Sequence, residues 1–214
     1  KLRAYRDKMS APQFATALVE HLGPRGLFTI PAVMGTQVRK TLDTDRTSAE
    51  ALRQRNRDVL TMLSRALATA TDTRNKAHVT RKFIGDLQRD GRAEIPAPDM
   101  GGLTNPGYWS LGQILAAAPD QTFSTHFMRT VGRDMIRWDR EYLQQRGTRF
   151  LPKDTDVYNL PAPSDTRPFQ ETDAVGAADP IAALMTVAGR SREPAQALLE
   201  DRDLLKYLLT DRRP

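Results

Sequence analysis

The sequence predicts an all-α fold: an irregular multi-helix bundle in which a long Pro-rich loop or linker precedes a C-terminal helical segment. Three observations carry this. Apolar residues recur every three or four positions along most of the 214 residues. Ser, Thr, Asp, Pro and Gly punctuate the places where those patterns begin and end. No run alternates apolar and polar residues convincingly as a half-buried strand does.

Residues 2–8 read as the last turns of a helix. Ser10 ahead of Pro12 marks a helix start, because a hydroxyl caps well and Pro is tolerated in the first turn. Phe14, Leu18, Val19 and Leu22 then share a face, and Gly23-Pro24 closes the helix. A second apolar stretch, 27–38, carries Pro31, which must lie near a helix start or kink the chain. Residues 48–71 form the clearest long helix, capped by Thr47 or Ser48. Glu50 lies in its first turn, and Leu52, Val59, Leu63, Leu67 and Ala70 are its buried stripe.

Residues 79–87 make another helix, ended by Asp90-Gly91, and the Pro- and Gly-rich stretch 95–106 reads as a loop. Residues 108–118 give a short apolar helix stopped by Pro119. Asp120 is expected to cap a long helix reaching about Gln145, with Phe123, Phe127, Val131, Met135, Trp138 and Tyr142 as its stripe and Gly147 as its stop. From 148 to 177 periodicity disappears and Pro152, Pro161, Pro163 and Pro168 recur. Such a length without structure is uncommon inside a domain, so it is a linker or a long surface loop. Asp179-Pro180 opens a last helical block, broken near Gly189 and Pro194. The organisation expected is a helical domain over 1–147, the 148–177 connection, and a helical segment over 178–214 that packs on the first or forms one domain with it. The likeness between residues 11–20 and 193–200 is shared helix-start chemistry and not a repeat.

Composition bounds the function. The apolar fraction of 39% and charged fraction of 27% suit a chain that builds a core. The net charge of +6 comes mostly from Arg, which fits either polyanion binding or a general bias toward Arg. With no Cys there is neither a disulfide framework nor a thiolate metal site, and the compartment stays open. No run approaches the ~18 apolar residues of a membrane span. The chain opens without Met or a signal-peptide core, and both ends are expected to be boundaries within a longer protein, cytoplasmic or exported.

The motifs of catalysis and metal binding each fail at a named residue, so no catalytic, cofactor or metal residue is assigned. His21, His78 and His126 have no partner at ligand spacing. The run starting Asp154-Thr-Asp lacks the Gly of a calcium loop and has Asp165 where Glu belongs. Gly101, Gly102 and Gly107 follow no strand and precede no Gly-Lys-Ser/Thr. There is no Gly-x-Ser-x-Gly elbow, and Asp139 and Glu141 point apart on their helix. An enzyme of unfamiliar type would use the loop 99–108 to line a pocket.

The patterned feature is basic. Arg129, Arg133, Arg137 and Arg140 step by four, four and three, which aligns four guanidiniums on the side of the helix opposite the Phe/Trp stripe. An exposed row of this kind either meets phosphates or an acidic partner, or is a solvated face balanced by Asp134 and Glu141. Trp109 and Trp138 suit core packing better than ligand stacking.

Three stretches carry a resemblance. They are Phe14-Ala-Thr-Ala-Leu-Val-Glu-His-Leu-Gly-Pro-Arg-Gly-Leu; Gly91-Arg-Ala-Glu-Ile-Pro with Gly107-Tyr-Trp-Ser-Leu-Gly-Gln-Ile-Leu and Val131-Gly-Arg-Asp-Met-Ile; and Asp179-Pro-Ile-Ala-Ala-Leu-Met with Lys206-Tyr-Leu-Leu-Thr-Asp-Arg. In this order they resemble an actinobacterial family of helical proteins of unknown function, associated with WXG-type secretion proteins and polymorphic toxins. The Trp-x-Gly signature itself departs, because Trp109 is followed by Gly112, one residue late. The resemblance implies a non-enzymatic scaffold or interaction domain of a larger bacterial protein, whose partner is another protein or another part of the same chain. Nucleic-acid or polyanion binding by the Arg row is the alternative.

Overall fold

Glycine and proline shape the first helices. The computed structural model describes residues 2–42, 44–96, 104–118, 120–147 and 179–212. A 3-10 helix, Leu2–Ser10, leads into α1 (Pro12–Leu42) and buries Met9 completely. Pro12 opens α1 as expected, but Ala11 and not Ser10 precedes it, and the Ala11 carbonyl accepts from the Ala15 N–H at 2.9 Å. Gly23 takes φ 64° and ψ 167°, a conformation closed to most L-residues, and Pro24 then fixes its own φ, so the helical path bends there and resumes at once.

α2 (Arg46–Ala70) packs along α1 as a hairpin, tied by the buried Asn56, whose amide donates to the Met34 carbonyl at 3.3 Å. Its cap is Asp45, not Thr47 or Ser48. One Asp45 oxygen accepts from both of those backbone N–H groups, at 2.9 and 3.1 Å, and the Ser48 hydroxyl donates to the other. A carboxylate that satisfies two orphan donors outcompetes a hydroxyl that can reach one.

α3 (Arg81–Arg92) is capped by Thr80 and runs through Gly91, which is buried against the Tyr108 ring. Where a loop is expected after it, β1 (Glu94–Pro96) and β2 (Thr104–Pro106) pair antiparallel, with Ile95 opposite Asn105. Three residues per strand are too few to show alternation in sequence. The ribbon delivers the chain into α4 (Gly107–Ala116), which is buried on nearly every side.

The next helix starts later than Asp120. Ser124 caps it, accepting from the Phe127 N–H at 3.2 Å, and it runs as α5 (Thr125–Phe127), a π turn (Met128–Gly132) and α6 (Arg133–Arg146). Gly147, with φ 69°, is the expected left-handed stop. The π turn frees backbone, and Gln88 of α3 donates to the Thr130 carbonyl at 3.3 Å.

Asp179 caps α7 (Pro180–Ala188) as its sequence indicates, accepting from the Ile181 N–H at 2.8 Å. α8 (Arg192–Leu199) and α9 (Arg202–Lys206) follow, and the last helix ends in a π turn, Tyr207–Asp211. α7 lies on α4 so closely that a Cβ on Gly112 would come within 2.7 Å of the Pro180 backbone. Leu184, Leu198 and Tyr207 thereby join one continuous core with Val19, Phe28, Leu63 and Phe127. The expected connection 148–177 lies outside the described residues, as do the Asp154 run and Gly101-Gly102.

Candidate functional site: the arginine row and its carboxylates

The π turn and α6 carry the row, and its inner neighbours explain its orientation. Phe127, Val131, Met135 and Trp138 are buried, and Trp138 packs 5.6 Å from Tyr108, centroid to centroid. Both tryptophans are core residues, Trp109 at 1% exposure. With that stripe fixed, the four arginines project from the other side.

Three of them are paired rather than free, which corrects the expected unpartnered row, although Arg129 and Arg137 keep about half of their side chains in solvent. Arg129 and Arg133 converge on the Glu200 carboxylate at 3.2 and 3.1 Å, and Arg137 reaches Asp201 at 3.0 Å. Glu200 and Asp201 lie at the break between α8 and α9. Arg133 keeps only 17% of its side chain exposed. Arg140 has no ion-pair partner among the described residues.

The two carboxylates respond. The Arg129 hydrogen bond, reinforced by Arg133, holds Glu200 below the usual Glu range despite some desolvation. Burial pushes Asp201 the other way, but the Leu204 N–H and Arg137 outweigh it and lower its pKa. Asp201 also caps α9, accepting from the Asp203 and Leu204 N–H groups at 3.2 Å each.

Two further charge clusters flank α6. Arg92 of α3 grips Asp134 through two nitrogens, at 2.9 and 2.8 Å, and reaches Glu141 at 2.6 Å. The Tyr108 hydroxyl donates to Asp134 as well. Asp134 and Glu141 therefore serve Arg92, and do not balance the arginine row as the sequence suggested. Burial, then the Asp134 charge, pushes the Tyr108 hydroxyl well above its ordinary value, so it stays a donor. The second cluster is Asp139, which accepts from the Tyr207 hydroxyl at 2.8 Å and Arg212 Nε at 2.6 Å, while Arg212 also holds Asp179 at 2.6 Å.

The histidines stay apart from these clusters. His21 and His78 are exposed, and His78 contacts the Asn75 carbonyl at 2.9 Å. His126 lines a polar cleft of about 210 Å³ with Asp72, Arg74, Ser124, Ser191 and Glu193. Within it Asp72 is already bonded to Arg74 at 2.8 Å, and Ser124 donates to the Thr71 carbonyl at 3.2 Å. Among the described residues no three His, Asp or Glu side chains come together as a metal site. Of the loop 99–108, the described part is β2 and the start of α4, where Asn105 and Tyr108 are buried.

Sequence reasoning missed Glu200, Asp201, Arg92 and Arg212. Each meets its partner from 33 or more positions away, and no local spacing announces such a pair. No protein-family model, no curated protein and no solved structure matches the chain. Among the described residues no helix is long and apolar enough to cross a membrane.

Proposed function

We propose that this chain is a helical scaffold and interaction domain, without catalytic activity, of a larger bacterial protein in a type VII secretion or toxin setting. The observation that supports it best is the pairing of Arg129, Arg133 and Arg137 with Glu200 and Asp201. Charge here serves as struts between helices, as it does at Arg92 and Arg212. A frame braced in this way presents fixed surfaces to a partner. The secretion setting rests on the resemblance alone.

The test is to express the chain and the remainder of its natural polypeptide separately, mix them, and measure mass by size exclusion with light scattering. A stable stoichiometric complex is expected. Two pieces that ignore each other, together with turnover of hydrolase or transferase substrates by this chain, would overturn the reading.

A second reading, polyanion binding by the row, is favoured by Arg129, whose side chain is half exposed, and by Arg140. A ligand there must displace Glu200. A duplex-DNA gel shift that falls steeply with salt and is lost in Arg129→Glu/Arg140→Glu is its expected signature. A shift unchanged in that variant removes it.

A further inference from the structure

The last helix is held lightly along its length and firmly at its end. Over residues 202–211 only Leu204 and Tyr207 are buried, and Leu209 is 76% exposed. Two anchors are few for a helix of this length, because helices in proteins draw most of their stability from a packed apolar face. The π turn then closes through the Arg212 N–H, which donates to the Tyr207 carbonyl at 2.9 Å. That turn carries Arg212 back into the domain, where only 12% of its side chain stays exposed.

Two carboxylates receive it. Asp139 of α6, with 4% of its side chain exposed, accepts from Arg212 Nε at 2.6 Å and from the Tyr207 hydroxyl at 2.8 Å. Asp179 accepts from Arg212 Nη2 with both oxygens, at 2.6 and 2.8 Å, and is itself fixed by capping α7. One planar group therefore spans two carboxylates on two helices, Nε serving the first and Nη2 the second. A guanidinium has the fork for this, whereas an ammonium is a compact point charge. Taking the guanidinium away leaves buried carboxylates without their cation, which is costly.

We propose that Asp139 and Asp179 form a guanidinium socket, filled in cis by Arg212, and that this residue latches the last helix to the domain as a strap. The strap lifts separately from α7 and α8, whose Leu184, Val187 and Leu198 are fully buried in the common core. Lifting it uncovers a pair of carboxylates that the latched form hides and neutralises, so one residue switches the charge of this face. The latch goes beyond the scaffold reading and does not depend on it.

The test is native-state hydrogen exchange on the full chain, in wild type, Arg212→Ala and Arg212→Lys, with circular dichroism verifying that each folds. In Arg212→Ala the amides of residues 204–210 are expected to exchange about tenfold faster or more, while those of α4 and of Leu184 in α7 change less than about twofold. Arg212→Lys should open the strap nearly as far. Methylguanidinium at about 20 mM should restore most of the protection lost in Arg212→Ala, and methylammonium at the same concentration should not. Arg212→Ala/Asp179→Asn keeps an oxygen to cap α7 but lacks one socket charge, and there the rescue should disappear. Unchanged exchange in Arg212→Ala, or equal acceleration in every helix, overturns the strap. Wild-type protection in Arg212→Lys, equal rescue by the two cations, or rescue that survives Asp179→Asn overturns the guanidinium socket.

Discussion

Asp139 receives two donors at once in a site where water is excluded. It is 3% exposed, and it satisfies both the Tyr207 hydroxyl and Arg212 Nε. Removing one member of a buried ionic cluster leaves the others desolvated, so Asp139→Ala is expected to destabilise the fold by about 3 kcal/mol. Urea denaturation followed by circular dichroism measures this, and a loss below about 1 kcal/mol would mean that the cluster is solvated. Gly112 is equally exacting for a steric reason. A Cβ there would meet the Pro180 backbone at 2.7 Å, which no side-chain rotation relieves. Gly112→Ala should cost about 1–3 kcal/mol, read in the same denaturation experiment.

Helix ends show how much local chemistry decides. Asp45 closes two N–H groups of α2, so Asp45→Ala should lower the melting temperature while Asp45→Asn, which keeps an acceptor oxygen, lowers it less, as thermal melting would show. The start at Asp179-Pro180 and the stop at Gly147 are legible in sequence because the bonds that make them lie within three or four residues. Asp120 misleads, because the chain makes a further turn before Ser124 takes up the capping role. The apolar stripe from Phe123 to Tyr142 is legible too, although the π turn inserted within it is not. The arginine row is legible as geometry and illegible as environment. Its spacing follows from the helix, but Glu200 is 67 positions from Arg133 and only the fold brings them together. The β1–β2 ribbon escapes notice because its partners are each three residues long.

Across the whole molecule, the row joins the C-terminal helices to the rest of the frame and gives stability a pH dependence. Glu200 and Asp201 bind protons less readily when folded than when unfolded. Their contribution is therefore complete above the ordinary carboxylate values of 4.5 and 3.8 and is lost as pH falls through the lower folded values. Denaturation midpoints measured from pH 6 to pH 3 should decline, and Glu200→Gln should decline less steeply than wild type. Parallel curves for the two proteins would mean that Glu200 contributes nothing to this slope. The amplitude is small, because exposed pairs are screened.

Closure of the seam that Arg129, Arg133 and Arg137 make with Glu200 and Asp201 is tested most directly by native-state hydrogen exchange over α7, α8 and α9, in wild type and in Arg133→Glu/Arg137→Glu. A closed seam predicts wild-type amides at Leu184, Leu198 and Leu204 protected as strongly as those of α4. The charge-reversed protein should lose protection over this segment together, before α4 does. Wild-type amides there that exchange far faster than α4 would show the C-terminal helices opening on their own, and the arginine row would then be a free anion surface.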